Sequence, residues 1–309
     1  MLPESATSRP QPEPSASADA TWSEPLVAPV PGTGAHVVTD ADGTAVVRTA
    51  AGRFLRLQSP PPDLTRILTG ESTRPAAPAA PDEEYVAALR AEMSSREAAD
   101  ARRRWPAARR TVTLVGSGRV LDDVAEALDE WDVHPRRRTT DSVLQEGAEP
   151  GTHAAHLVIA YGDSPAERAD WPRLDTLPNA GIAWLRAYRD GENCFVDPLC
   201  VTPADPGSEQ VRRRRLAAAL VPGPLRTWQH ATVETRPMSS GARMLTVGRI
   251  LTVALAWAQD REATAGDTAT VDVYRRTLWK FVPATGVVSE HPVLGYAPPH
   301  VPDEPVDRP

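Results

Sequence analysis

The stretch Thr111-Val112-Thr113-Leu114-Val115-Gly116-Ser117-Gly118 decides how the larger part of this chain folds. Its first five residues form a short apolar run, typical of a strand buried on both faces, and two glycines follow at once. A helix is predicted next, over 121–131. A buried strand that leads through a glycine turn into a helix is the opening of a nucleotide-binding α/β domain. The sequence therefore predicts a degenerate Rossmann-like α/β domain, which we place at 107–297.

The glycine turn lacks the residues that would use a nucleotide. A dinucleotide fingerprint needs a third glycine, and Leu121 stands at that position. The acid expected after the next strand is replaced by the basic stretch 134–138. A P-loop needs a lysine in the turn, but the sole lysine, Lys280, lies in a strand-like run. We therefore interpret the turn as a tight connection and expect no cofactor and no catalytic residue; the alternative is an adenylating or dinucleotide-dependent enzyme with an atypical loop.

Further strands and helices alternate beyond this turn, which predicts a mostly parallel sheet covered by helices on both sides. Strands are predicted at 156–161, 181–187, 193–196, 269–274, 278–282 and 287–288. Helices are predicted at 208–220 and 240–260. The basic runs at 102–104, 136–138 and 212–215 are interpreted first as solvated faces.

A smaller unit, 34–106, precedes this domain. Three short runs, 36–38, 44–48 and 53–57, are separated by the turn signals Asp42-Gly43 and Ala51-Gly52, which predicts a three-stranded antiparallel meander. A short helix at 62–68, a Pro/Ala-rich linker at 71–81 and a longer helix from Asp82 to about residue 104 follow. One face of the longer helix is apolar. The segments 1–33 and 298–309 are rich in proline and are expected to be disordered tails.

The meander and the long helix also offer a binding groove. An amphipathic strand at a sheet edge, beside a helix with an apolar face, can bind an extended peptide by backbone pairing. On periodicity alone, the same side chains are explained as the core of the small unit. Those side chains are Phe54, Leu55, Leu57, Leu89 and Met93.

Composition excludes several classes of protein. The 309 residues carry a formal net charge of −7, which disfavours a general nucleic-acid binder. No apolar run approaches the ~20 residues of a membrane span, and the start does not resemble a secretory signal, so a cytoplasmic protein is expected. Two cysteines, Cys194 and Cys200, exclude a four-thiolate zinc site within one chain, and a disulfide between them is not expected. His153 and His156 are interpreted as surface or capping residues.

The order of these pieces resembles a known pair of domains. Residues 42–57 and 64–70 resemble the precursor-recognition element of peptide natural-product enzymes, a small winged-helix unit similar to the PqqD family. The runs at 114–118, 157–160, 181–185, 197–199 and 289–294 resemble the ocin-ThiF-like, ubiquitin-activating-enzyme-like partners of YcaO cyclodehydratases. The combined resemblance covers roughly 36–297. It departs from the family at the prolines of 75–81, which replace the usual middle helix, and at the missing CxxC pairs.

This resemblance implies a function in the biosynthesis of thiopeptides or of peptides modified with thiazole and oxazole. Such partners bind the leader of a ribosomal precursor peptide and present it to the YcaO enzyme, which uses ATP to form azolines. Carried over to this chain, the leader pairs with the third strand of the element and lies on its last helix. The implied peptide-binding residues are Arg53, Phe54, Leu55, Arg56, Leu57, Tyr85, Leu89, Arg90 and Met93. A homodimer is left open, and a DNA-binding winged helix is disfavoured by the acidic start of its helix at 82–84.

Overall fold

The computed structural model describes residues 26–40, 42–61, 64–69, 81–148, 155–233, 235–260 and 270–293. The chain divides into two compact units between Ala99 and Asp100. This boundary falls inside a helix, a few residues before the predicted boundary at 106. The predicted linker over 71–80, the predicted tail at 298–309 and residues 1–25 of the other tail lie outside the described residues.

The first unit contains a four-stranded antiparallel sheet within its described residues, with the strand order β1-β2-β3-β4. Its elements are β1 (Leu26–Pro29), β2 (His36–Thr39), β3 (Ala45–Arg48), β4 (Phe54–Arg56), α1 (Leu64–Thr69) and the first part of α2 (Pro81–Arg104). The predicted meander is confirmed as β2, β3 and β4. The expectation of disorder up to residue 33 is wrong for 26–33. Ala28 in β1 and Val30, directly after it, are both fully buried against the rest of the unit.

One row of side chains across the sheet forms the core of this unit. Antiparallel pairing aligns Val37 with Ala28 on one side and with Val47 on the other, and Val47 with Leu55. Leu89 of α2 completes the cluster from above the row, together with Leu64 and Met93. Alternate residues of each strand thus face the helices, as the period of two requires.

The second unit contains a seven-stranded mixed sheet within its described residues, in the order β11-β10-β9-β8-β7-β5-β6. Its strands are β5 (Thr111–Val115), β6 (Arg136–Arg138), β7 (His156–Gly162), β8 (Ala183–Asp190), β9 (Asn193–Val196), β10 (Thr277–Val282) and β11 (Val287–Pro292). Its helices are α3 (Arg119–Asp129), α4 (Thr140–Ala148), α5 (Trp171–Leu174), α6 (Ser208–Ala217), α7 (Pro222–Trp228), α8 (Ser240–Gln259) and α9 (Thr270–Arg275). Strands β6, β5, β7 and β8 are parallel, whereas β9, β10 and β11 are antiparallel.

Three local predictions need correction in this unit. The segment predicted as a strand at 269–274 is the short helix α9, since its apolar residues alternate in a run too short to distinguish the two periods. The basic stretch 136–138 is an exposed edge strand rather than only a solvated face. The run 212–215 is not fully solvated, because Arg215 lies against the rings of Phe195 and Tyr188.

The sheet buries both faces. Along β7, Ile159 packs in a core shared with α3 and α8, while Val158 packs on the opposite side with Trp171 and Trp184. Within the described residues, no helix has both the length and the apolar character needed to cross a membrane.

Arg186 of β8 is fully buried and joins four segments on one side of the sheet. Its Nε donates to the Asp197 carboxylate at 3.1 Å, and its Nη1 donates to the Cys200 sulfur at 3.2 Å. Its Nη2 donates to the carbonyls of Pro198 and Pro206, each at 3.0 Å. Asp175, 3.6 Å from Nη1, also accepts hydrogen bonds from the backbone N–H and the hydroxyl of Ser208, so it fixes the start of α6.

The glycine turn between β5 and α3 is required by packing. Gly116 has φ of 110°, and a Cβ atom built on it would lie 2.3 Å from the backbone oxygen of Tyr161 in β7. Gly118, with φ of 97°, is the N-cap of α3. Both positions therefore need glycine irrespective of any ligand.

We expect Gly116→Ala to lower the free energy of unfolding by about 3 kcal/mol, since the methyl group adds a backbone clash to an unfavourable φ. Gly191→Ala is the matched control, because its φ of 64° is also positive but nothing lies within 4 Å of its Cβ position. That variant should lose only about 1 kcal/mol. Urea unfolding measures both, and equal losses would contradict the close approach to Tyr161.

We expect Arg186→Met to lower the free energy of unfolding by about 3–5 kcal/mol, because it leaves the buried Asp197 carboxylate without its guanidinium. Burial raises the pKa of Asp197 and the Arg186 charge opposes that rise, so removing the arginine raises this pKa further. A carboxyl with a raised pKa in the folded state is more stabilising at low pH. The loss of unfolding free energy in Arg186→Met should therefore be smaller at pH 5 than at pH 8.

The double variant Arg186→Met/Asp197→Asn should recover part of this loss at pH 8 in urea unfolding. Arg173→Met is the control, since Arg173 is about half exposed and its ion pair with Asp141 lies at the surface. A loss in Arg186→Met no larger than in this control would contradict a structural role for the buried network.

Candidate functional site

Strand β4 forms one edge of the four-stranded sheet of the first unit. Among the described residues it pairs with β3 alone. An edge strand presents unpaired backbone groups along its outer side, and an extended peptide can pair with them. The structure thus places the predicted third strand of the meander at an edge of the sheet formed by the described residues.

The backbone groups that point outward can be assigned from the hydrogen-bond pattern. The N–H of Thr49 donates to the carbonyl of Arg53 at 2.8 Å, which makes 49 and 53 a hydrogen-bonded pair. Hydrogen-bonded and non-hydrogen-bonded pairs alternate along an antiparallel ladder, so the N–H and C=O of Phe54 and Arg56 point away from β3. These two residues carry the backbone groups open to a further strand.

The side chains of β4 divide between the two faces of the sheet. Leu55 and Leu57 are partly buried against the helices. Phe54 and Arg56 both lie on the other face of the sheet, away from the helices. Phe54 is 62% exposed, and Arg56 is also exposed. The prediction that Phe54 belongs to the core of the unit is therefore wrong, because strand alternation turns its ring to the other face.

Helix α2 contributes residues of two kinds. Leu89 and Met93 are 7% and 4% exposed and lie in the core, so they offer little surface to a ligand. Tyr85 is partly buried, its hydroxyl donates to the Gln58 carbonyl at 3.3 Å, and burial raises its pKa. Arg90 is exposed on α2. The structure thus brings five of the predicted peptide-binding residues into one cluster: Leu55, Leu57, Tyr85, Leu89 and Met93. The other four predicted residues are exposed: Arg53, Phe54, Arg56 and Arg90.

Sequence reasoning missed the outer face of this sheet. Val46 lies opposite Arg56 and Val38, and Val38 lies opposite Val27, which is 60% exposed. The signal was present as alternate apolar residues in the strands, but β1 was not recognised. Beside Phe54, these valines make the outer face of the sheet partly apolar.

The glycine turn of the second unit lies against an acid. The Asp163 carboxylate, directly after β7, would lie 3.7 Å from a Cβ atom on Gly118. Its Oδ1 accepts from the Tyr161 hydroxyl at 2.7 Å and lies 3.2 Å from Arg189 Nε. Burial raises the pKa of Tyr161, so this hydroxyl remains a donor. A carboxylate therefore lies beside the N-terminus of α3, the position at which a helix binds a phosphate, and its charge is paired with Arg189.

No group of three or more metal-ligating side chains is found within the described part of the chain. Both cysteines are buried free thiols. Burial raises the pKa of Cys200 to about 11, and its thiol donates to the Pro206 carbonyl at 2.8 Å. His156 is not at the surface as predicted: it is 3% exposed and lies 2.9 Å from the Thr113 hydroxyl.

No protein-family model and no curated protein matches the sequence. Among solved structures, the chain is similar to one in the E. coli microcin synthetase McbBCD complex with pro-MccB17 bound, with 10% identity, a TM-score of 0.45 and coverage of 88% of this chain and 97% of that one. The chain is also similar to the heterocyclase TruD, with 14% identity, a TM-score of 0.45 and coverage of 88% of this chain and 40% of that one.

A heterocyclase in complex with substrate and cofactor matches with 15% identity, a TM-score of 0.44 and coverage of 75% of this chain and 30% of that one. This chain therefore spans less than half the length of either heterocyclase. The solved structures with comparable scores also include E. coli MccB, with 7% identity, a TM-score of 0.42 and coverage of 89% of this chain and 95% of that one.

Proposed function

We propose that this chain binds the leader of a ribosomal precursor peptide at β4 and presents the peptide to a YcaO cyclodehydratase, which forms the azolines. The observation that carries the proposal is the outer side of β4, where the backbone groups of Phe54 and Arg56 point away from the sheet. The resemblance of residues 42–57 and 64–70 to a precursor-recognition element implies the same strand as the one that pairs with the leader.

The leader would extend the first sheet by one strand. Its alternate side chains would then face the helices, near Leu57 and Tyr85, and the outer face, near Phe54. The meander with α1 and α2 is interpreted as the winged-helix-like recognition element, with Leu89 and Met93 supporting the groove from the core. Backbone pairing supplies affinity, and the side chains beside the edge supply specificity.

Exposed arginines on and beside β4 favour acidic residues in the leader, although Glu83 and Glu84 of α2 oppose them next to Tyr85. Arg48, Arg53, Arg56 and Arg90 are exposed, and none forms an ion pair with another described residue. Exposed cations attract acidic segments and speed their association, and salt weakens this attraction. The expected leader is therefore an extended segment with acidic residues near its paired strand.

The second unit is proposed to serve as a non-catalytic scaffold. The close approach to Tyr161 accounts for the glycine at 116, and the Asp163 carboxylate lies beside the start of α3, where a phosphate would bind. The ATP-dependent step is therefore assigned to the YcaO partner, and the proposal implies the cytoplasm, where ribosomal precursors are made.

We expect Arg56→Pro to weaken leader binding about tenfold, because proline removes the outward N–H that a paired leader would use. The protein should remain folded, since this N–H makes no bond to β3 and proline is tolerated on an edge strand. Fluorescence polarisation with a labelled precursor leader peptide measures the affinity.

Arg56→Ala is the matched control, because it removes the same side chain and keeps the N–H. Its affinity should exceed that of Arg56→Pro, and any loss relative to the unsubstituted chain should diminish as salt is raised. Equal affinity in the two variants would exclude backbone pairing at β4. ATP or NAD binding that Gly118→Val abolishes would instead favour the nucleotide-dependent alternative.

We expect Phe54→Ala to weaken leader binding about tenfold through lost apolar contact, without changing the unfolding midpoint, because the ring is 62% exposed in the free chain. Leu57→Asp should weaken binding too, but it should also destabilise the unit, since Leu57 packs on the core. Leader affinity and urea midpoints separate the two effects. A Phe54→Ala variant with unchanged affinity would remove this ring from the site.

A further inference from the structure

A cavity of about 400 Å³ opens in the second unit, between the residues that follow β7 and the helices α6 and α7. Its wall includes the rings of Trp171 and Tyr188, whose centroids lie 5.9 Å apart. Three arginines also line it: Arg168, Arg212 and Arg215. An aromatic wall with several guanidinium groups is suited to an anionic ligand.

Two of these arginines already have acidic partners. Arg212 holds both oxygens of Glu209, at 2.6 and 2.7 Å. Arg215 pairs with Asp190 and also donates to the Tyr188 hydroxyl at 3.2 Å. Their charges are therefore largely compensated within the protein.

Arg168 is different. Its Nε donates to the Ser164 carbonyl at 3.2 Å, and its guanidinium carbon lies 4.4 Å from the centroid of the Tyr188 ring. Its Nη2 is buried without a hydrogen-bond partner, and no carboxylate among the described residues pairs with it. Burial lowers the pKa of Arg168, and the nearby charges of Asp190 and Asp197 oppose that effect only in part. A buried guanidinium N–H without an acceptor is unfavourable, and an oxyanion is its natural complement.

The amide of Gln229 is a second polar group without a partner in this cavity. The side-chain oxygen of Gln229 is buried and accepts no hydrogen bond from any described residue, Arg168 included. The oxygen and nitrogen of a side-chain amide are interchangeable by rotation, so this group can accept from a ligand or donate to it. Arg168 Nη2 and the Gln229 amide thus lack partners in one cavity, as does Oδ1 of Asp197, whose other carboxylate oxygen accepts from Arg186.

We propose that this cavity binds a small ligand through one oxyanion group, a carboxylate or a phosphate, held by Arg168 with Gln229 as a second contact. Trp171 and Tyr188 would pack against the rest of the ligand. The site is independent of the proposed leader binding, which uses the first unit only. It also lies apart from the glycine turn, since neither Gly116 nor Gly118 lines the cavity.

The test measures binding of inorganic phosphate and of glutarate to the full chain by isothermal titration calorimetry. We expect one saturable site for at least one probe, and the tighter probe distinguishes a phosphate from a carboxylate ligand. Arg168→Met should weaken that binding about tenfold or more. The control Arg173→Met removes a nearby, half-exposed arginine that does not line the cavity, and its affinity should be unchanged.

Thermal unfolding and circular dichroism establish that the variants fold. If Arg168→Met does not fold, Arg168→Lys replaces it, because lysine keeps the charge and loses the planar fork, and binding should again be weaker. The saturating probe should also raise the unfolding temperature of the unsubstituted chain. Absence of saturable binding by both probes, or equal affinity in the folded Arg168 variant, would overturn the proposal.

Discussion

The buried guanidinium of Arg186 is the constraint around which one side of the second unit is arranged. A buried cation must have its N–H groups paired, and here the partners come from segments distant in sequence: Asp175, Asp197, Cys200 and the carbonyls of Pro198 and Pro206. The loop after β9 therefore returns to β8. Asp175 in turn accepts from the first residues of α6, so the same network places that helix.

Arg168 and Arg186 illustrate two outcomes for a desolvated arginine. Arg186 has an acceptor for Nε, Nη1 and Nη2, so it has a structural role. Arg168, which lines the cavity on the same side, has a single carbonyl partner and an aromatic ring, and its Nη2 has none. The network of the first arginine positions α6, and α6 forms a wall of the cavity that holds the second. The guanidinium of Arg186 is thus fully paired, whereas that of Arg168 keeps an N–H without an acceptor.

The elements predicted well were those whose signal is local. Alternation at 36–57 predicted β2, β3 and β4, and the glycine turn after Val115 predicted the passage from β5 to α3. Local signals failed where proline-rich composition concealed β1 and where a six-residue run, α9, fitted a strand as well as a helix. They also assigned Phe54 to the core, because its apolar character was visible but the face it occupies was not.

The sequence by itself determined most strands and helices, though not β1 or α9, together with the need for glycine after β5 and the strand that could serve as a peptide-binding edge. These follow from steric and burial preferences of neighbouring residues, which act over a few positions. Only the tertiary structure decided that β4 is an edge strand among the described residues, that Arg186 is fully paired, and that Arg168 and Gln229 line one cavity. Those properties depend on contacts between residues far apart in the chain, and no local period encodes which distant groups satisfy a buried charge.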